Sequence, residues 1–333
     1  MTKIGIMIEG QEDLTWERWF RLAEAVEALG FESLFRSDHL VALQGDTTRG
    51  TLALWPSLTA LALRTNRIRF GPMVSPMTFR HPAIVAKSAA AVSLLADSRL
   101  DLGLGAGWNA FEHQMYGLAY PRYGIRLEML NEGATVIKAL WSGETTSFAG
   151  KHYQLNDAVS YPLPSVPHPT IIMGGKGEQT LHIVAKHADE WNFTYESPAN
   201  FLVKSRQLDA ACEAIGRDPT GLRRSVMIPC AIGRDEQAVQ ERIDAHCRMF
   251  DPLPDNLADW RSAGFIGGTP DQVVEQLQAF VDAGVSRFML QHNDLDDIDS
   301  LELLASDVLP YIQSAGKTGR SQPCTHTQRT YTT

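Results

Sequence analysis

The feature that most constrains this chain is a strict alternation of short apolar runs with helix-period segments. The runs are Lys3 to Ile8, Phe31 to Arg36, Ile68 to Val74, Leu100 to Leu104, Thr170 to Met173, Glu190 to Thr194, Arg224 to Ala231 and Arg287 to Gln291. Between the first two, Trp16, Trp19, Phe20, Ala23, Val26 and Leu29 fall at helical spacing, and Gly30 stops the helix. Pro82 opens a helix that runs to Leu95, and Ser197-Pro198 opens another. Leu127, Leu130, Ala134, Ile137 and Trp141 form a further stripe, and Thr269-Pro270-Asp271-Gln272 is a capping box with proline inside it. Apolar strands of this kind are buried on both faces. Strand and helix in alternation give a parallel sheet. Eight units predict an α/β fold closed as a single (β/α)8 TIM barrel with insertions, with an open doubly wound sheet as the alternative.

The insertions are a small hairpin over Phe148 to Leu155, a proline-rich connection over Tyr161 to Pro169, and an irregular stretch over Pro252 to Ala263. One barrel domain over 1–312 is expected, followed by a mobile C-terminal tail over 313–333. With 44% hydrophobic and 21% charged residues, the 333-residue chain is no disordered segment. A net charge of -9 argues against a nucleic-acid binder. Cys212, Cys230, Cys247 and Cys324 form no C-x-x-C pair. No apolar run of about 20 residues and no leader pattern is present, so a cytoplasmic protein without a membrane partner is expected.

In a barrel of this class the chemistry sits where strands end. The first strand runs into Glu9 and Gln11, the second into Ser37-Asp38-His39, and the third into Ser75-Pro76. The fourth runs into Gly105-Ala106-Gly107-Trp108-Asn109 and the fifth into Gly174-Gly175-Lys176-Gly177. The sixth holds Asn192 and Thr194, and the eighth runs into Gln291-His292-Asn293. Glycines that open a helix let backbone N–H groups reach an anion, so Gly174 to Gly177 reads as a phosphate cradle to which Lys176 adds charge. Gly103 to Gly107 lacks the acidic residue that a dinucleotide fold needs at a second strand end; it reads as a tight exit under a flat ligand. Asp38-His39 reads as an acid/base pair or as an imidazole packed on a ring. The first strand carries no H-x-H and His81, His113, His182 and His187 are scattered, so no metal is expected; G-x-S-x-G is absent.

Phe35-Arg36-Ser37-Asp38-His39-Leu40, Thr65 to Gly71, Arg80-His81-Pro82 with Ala86-Lys87, Leu102 to Trp108, Glu112-His113 and Tyr116-Gly117 occur in this order. Arg126-Leu127, Leu140-Trp141, Gly174-Gly175 and Ala188 to Asn192 follow. In this set the chain resembles the bacterial luciferase-like oxidoreductases, and its G-x-G-A-G-W…E-H…Y-G pattern resembles the branch that uses the deazaflavin coenzyme F420. The resemblance implies hydride transfer between C5 of the deazaflavin and a small organic substrate. It places Asp38 and His39 near the ring and a non-prolyl cis peptide at Val74 and Ser75 behind it. Gly105, Gly107, Trp108 and Asn109 then line the cofactor, and Gly174, Gly175, Lys176 and Gly177 hold its phosphate. His39, Asp38 and Glu112 are the candidate catalytic residues, with Glu9 and His292 as further candidates for the substrate acid.

The chain departs from the family pattern in two places. Ala106 stands where the sugar-phosphate dehydrogenases carry a carboxylate, which argues against a sugar-phosphate substrate. Phe35-Arg36 replaces the usual aromatic before the Asp-His segment. An FMN-dependent monooxygenase working with a flavin reductase is the alternative on the same fold; a non-catalytic cofactor-binding barrel and a metal hydrolase are the other classes. A homodimer through helices near the second and third strands is implied. Met249, Phe250, Leu253, Trp260 and Phe265 suggest an apolar ligand surface.

Overall fold

A computed structural model describes residues 2–250 and 253–314. Cys324 and nearly all of the expected tail over 313–333 lie outside these residues. The chain begins with β1 (Lys3–Ile8), α1 (Trp16–Ala28), β2 (Ser33–Arg36), α2 (Leu54–Arg64), β3 (Arg69–Pro72), β4 (Ser75–Pro76) and α3 (Pro82–Leu95). It continues through β5 (Asp101–Gly105), α4 (Ala110–Met115), α5 (Tyr123–Trp141), and the antiparallel hairpin of β6 (Thr146–Ala149) and β7 (Gln154–Ala158). Then come β8 (Thr170–Gly174), α6 (Glu178–His187), β9 (Glu190–Thr194), α7 (Pro198–Ala214), β10 (Arg223–Ile232) and α8 (Glu236–Met249). The last elements are α9 (Leu257–Ser262), β11 (Ile266–Gly268), α10 (Pro270–Asp282), β12 (Arg287–Gln291), α11 (Ile298–Asp307) and α12 (Leu309–Ser314).

The barrel strands run β3-β2-β1-β12-β10-β9-β8-β5-β4, with parallel pairing throughout. β3 and β4 are two halves of one strand, and a parallel bridge between Phe70 and Leu100 closes the ring. The expected third strand over 68–74 is therefore broken. Its first half pairs with β2 and its second with β5, and the Met73–Val74 peptide between them is cis. The resemblance placed that bond one residue later.

The stretch expected to be irregular over 252–263 holds α9, and β11 follows it. Asn256 caps α9 by accepting from the Asp259 N–H at 2.9 Å. Trp260 is fully buried and its indole N–H donates to the Ile266 carbonyl at 2.8 Å, while β11 pairs with β10. One anchoring tryptophan, rather than a periodic stripe, fixes this piece, which is why periodicity misses it. The capping box at Thr269 and Gln272 forms as read. Among the described residues no helix is long and apolar enough to cross a membrane.

Side chains at the N-terminal ends of the strands form a buried ion cluster. Arg287 opens β12, and its guanidinium donates to Asp101 at 2.9 Å, Glu190 at 3.2 Å and Glu32 at 3.0 Å. Arg69 holds Asp101 at 3.1 Å, and Arg223 holds Glu190 at 3.1 Å. Burial alone raises the Asp101 pKa, but Arg287 and Arg69 outweigh it and hold the carboxyl below its ordinary value. Its stabilising contribution is full above the unfolded value of about 3.9 and is lost as pH falls through the lower folded value. Replacing Arg287 by Met leaves three acids facing two arginines. We expect a loss of about 3–5 kcal/mol in urea unfolding and an acid transition moved to higher pH. An unchanged transition would remove the cluster from any role in stability.

Candidate active site

The opposite end of the barrel opens into a cavity of about 720 Å³. Met7 and Glu9 reach it from β1, Ser37 and His39 from beyond β2, Val74 and Pro76 from the broken strand, and Gly105 to Asn109 from the end of β5. Gly174, Gly175 and Thr180 lie at the β8–α6 junction, with Asn192, Thr194 and Tyr195 beside them on β9 and its exit. Tyr123, Leu127 and Leu130 of α5 complete one wall.

Glycine at the end of β5 is a spatial requirement. A Cβ on Gly105 would lie 2.4 Å from Val74 Cγ2, and one on Gly103 would lie 2.1 Å from the Pro72 carbonyl. Gly107 has φ +76, the left-handed region that favours glycine. Arg126 donates to its carbonyl at 3.2 Å and packs 4.0 Å from the Tyr120 ring, whose hydroxyl donates to the Trp108 carbonyl at 2.6 Å. The turn is therefore held from behind, and Trp108 stands 67% exposed at the mouth.

The Asn109 side chain accepts from the N–H of Phe111 at 2.8 Å and of Glu112 at 3.4 Å. It caps the helix that carries Glu112. The nearly inaccessible Glu112 accepts from His39 Nδ1 at 2.8 Å and from the Leu40 N–H at 3.0 Å. With Nδ1 bonded to the carboxylate, His39 Nε2 is the other imidazole nitrogen, and the His39 ring meets Trp108 edge-on. Burial lowers the His39 pKa, but the hydrogen bond and charge of Glu112 outweigh it, and the net shift is upward.

Asp38 is next in sequence yet does not line the cavity. It is buried, accepting from Arg80 at 3.1 Å and from the Ser75 hydroxyl at 2.8 Å. It ties β2 to the second half of the broken strand. Lys176 likewise turns away. Its ammonium pairs with Glu196 at 2.8 Å, and with Gly177 it lines a separate surface cleft. Gly174 and Gly175 do face the cavity. Gly175 has φ +117, and a Cβ there would lie 2.6 Å from Thr180 Cγ2. α6 starts beyond Gly177 with no side-chain cap, leaving its first amide groups available to an anion.

Glu9 lines the cavity between two amide donors, Gln11 at 3.0 Å and Gln291 at 2.9 Å. His292 is buried outside the cavity lining, beside Ser300, where desolvation lowers its pKa to about 4. His113 is structural, bonded to the Asn109 carbonyl at 2.6 Å and to Thr78 at 2.7 Å. Of the apolar set near residue 250, Phe250 lines the cavity, whereas Trp260, Leu253 and Phe265 pack against the barrel. Phe35 lies in an inner cluster with Met7, Met73, Ile172 and Met289. The sequence does not single out Leu127 and Leu130 as cavity residues, because they continue the apolar stripe of α5. Among the described residues no group of three or more metal-ligating side chains occurs.

The family described as luciferase-like monooxygenase matches residues 1–266. The chain belongs to that family. It is 28% identical over 327 residues, 93% of this chain and 88% of the other, to an F420-dependent hydroxymycolic acid dehydrogenase of Mycobacterium tuberculosis. It is also 28% identical over 323 residues, 88% of this chain and 94% of the other, to an F420-dependent glucose-6-phosphate dehydrogenase of Amycolatopsis mediterranei. The fold matches that of an F420-dependent secondary alcohol dehydrogenase solved with an F420-acetone adduct. There the TM-score is 0.79 at 19% identity, over 93% of this chain and 99% of that one.

The His39–Glu112 pair yields a direct expectation. In Glu112→Gln the carboxylate is gone while burial still acts against the smaller pull of Glu9 and Asp38, so the His39 pKa should fall from its raised value. Histidine NMR titration measures this; an unmoved resonance would show that the pair is not coupled.

Proposed function

We propose that this chain is a coenzyme F420-dependent oxidoreductase acting on a small organic substrate. The observation that carries the reading is the cradle at the end of β5, where a Cβ on Gly105 would collide with Val74 and the backbone can back a flat ring. Val74, Gly105, Gly107 and Trp108 would hold the ring. Gly174, Gly175, Thr180 and the uncapped start of α6 would take the phosphate. When bound, the deazaflavin supplies or accepts hydride at C5.

The protein's own part is placement, exclusion of water and proton handling. His39 Nε2 is the group that gives a proton to a substrate oxygen or takes one from it, and Glu112 orients the ring and balances its charge. Asp38, locked to Arg80 and Ser75, is a positioning residue that fixes the loop carrying His39. Ala106 leaves the position after Gly105 without a carboxylate, so a sugar phosphate is not the substrate we assign. We place the protein in the cytoplasm, and we read it as a homodimer, for which the exposed Leu63, Ile84, Leu94 and Leu95 on α2 and α3 offer an apolar face. Sedimentation should give twice the chain mass, and Leu63→Glu with Leu95→Glu should give the monomer.

Fluorescence titration of the purified chain with oxidised F420 and with FMN tests the cofactor. F420 should bind at least about tenfold more tightly, and Gly105→Val should remove that binding. Tighter FMN binding overturns the reading in favour of a monooxygenase fed by a flavin reductase. In His39→Asn, turnover should fall by about 10²–10⁴ while F420 affinity stays within a few-fold.

A further inference from the structure

Resting on that reading of the cavity, we propose that its substrate compartment takes an apolar molecule that offers a hydrogen-bond donor and bears no negative charge, and that Glu9 imposes this selectivity. The charged side chains lining the cavity are Glu9, His39 and Glu112; among the described residues no lysine or arginine does so. Each nearby cation is directed elsewhere. Arg80 holds Asp38, Lys176 holds Glu196, and Arg126 donates to the carbonyls of Gly107 and Pro121. Arg36 lies behind Gly10, where its guanidinium donates to the Ser37 carbonyl, the Ser57 hydroxyl and the Gly10 carbonyl.

Glu112 is already matched by His39. Glu9 is therefore the acid that faces the cavity without a cation beside it on the cavity side. Its two oxygens each accept one amide hydrogen, from Gln11 and Gln291, which aims the carboxylate and leaves acceptor capacity on both. β8 lies four strands from β1 in either direction around the barrel, so the Gly174-Gly175 cradle stands directly opposite Glu9. An anion at the cradle and a donor at Glu9 do not compete. Leu43, Leu127, Leu130, Met227 and Phe250 supply the apolar surface of the same cavity. A carboxylate or phosphate placed beside Glu9 meets a like charge and no compensating cation. A hydroxyl or ammonium donates to it.

Isothermal titration of the full chain, with F420 bound and separately without it, tests this. The probes are cyclohexylammonium, cyclohexanol and cyclohexanecarboxylate, which share a ring and differ in charge. Cyclohexylammonium and cyclohexanol should bind, and cyclohexanecarboxylate should bind at least about tenfold more weakly than the ammonium. Glu9→Gln, close to isosteric, should bring the three within about threefold of one another. Should that variant not fold, raising salt from about 20 mM to about 500 mM on the natural chain should weaken the ammonium and leave the alcohol unchanged. Equal binding of carboxylate and ammonium, an unchanged ranking in Glu9→Gln, no salt effect, or no binding of any probe overturns the proposal. If F420 fails to bind while the ranking stands, the cofactor reading falls and the charge selectivity survives.

Discussion

Arg287 is the residue on which the barrel's arrangement turns. Its side chain is almost completely inaccessible and reaches acids at the starts of β5 and β9 and just before β2. Hydrogen bonds between neighbouring strands fix the order around the ring, but they do not tie together strands that are not neighbours. A guanidinium with several donors in a fixed fork does that, because leaving any of the three acids unmatched inside the protein is costly. Arg69 and Arg223 bring the cluster to three cations against three anions. With the polar load gathered at the N-terminal ends, the middle of the barrel is left to apolar side chains. The C-terminal ends are free to carry glycines, turns and the groups that meet a ligand.

The mouth follows a related rule with a different result. Asp38 is matched by Arg80 inside the wall, and Glu112 by His39 at the cavity lining. These pairs hold loops: the Asp38 pair joins the end of β2 to the second half of the broken strand, and the Glu112 pair joins it to α4. His39 is therefore fixed from two sides, by its sequence neighbour's ion pair and by its own. A side chain held in this way needs little reorganisation to meet a substrate, which is the structural basis for giving it the proton-handling role.

The eight-unit alternation was legible because each element repeats a pattern that burial on both faces demands. The strand and helix limits read from it agree closely for β1, α3, β9 and β12. The rim glycines were legible for a physical reason as well: Gly105, Gly107, Gly174 and Gly175 all face the cavity, and three of the four resist a Cβ through contact or positive φ. Direction was not legible. Nothing in Ser37-Asp38-His39 tells that His39 points into the cavity and Asp38 into the wall, since that depends on Arg80, 42 residues away in sequence. Nor does Lys176 announce that Glu196 will draw it aside. The split of the third strand was hidden for the same reason, because each half is fixed by a different neighbour. Trp260 shows the limit of periodicity, as one large side chain orders a segment too short to display a period.

Arg36 gives the mouth its last constraint. Burial lowers its pKa to about 10, against the opposing pull of Asp38 and Glu9, so it stays charged at neutral pH. No carboxylate directly pairs with it in the way that Asp38 pairs with Arg80. Its donors go to two carbonyls and a serine hydroxyl, and its charge is balanced at longer range by Glu9 and Asp38. A Cβ on Gly10 would lie 2.4 Å from its guanidinium, so glycine at that turn lets the chain pass over the arginine. Glu9 precedes Gly10 and is thereby held between a cation behind the backbone and the cavity in front of it. The intervening backbone keeps the arginine's donors from the cavity. The barrel can thus keep an acid facing its substrate compartment without placing a cation there, and this separation is what makes the charge of the incoming molecule a usable basis for selection.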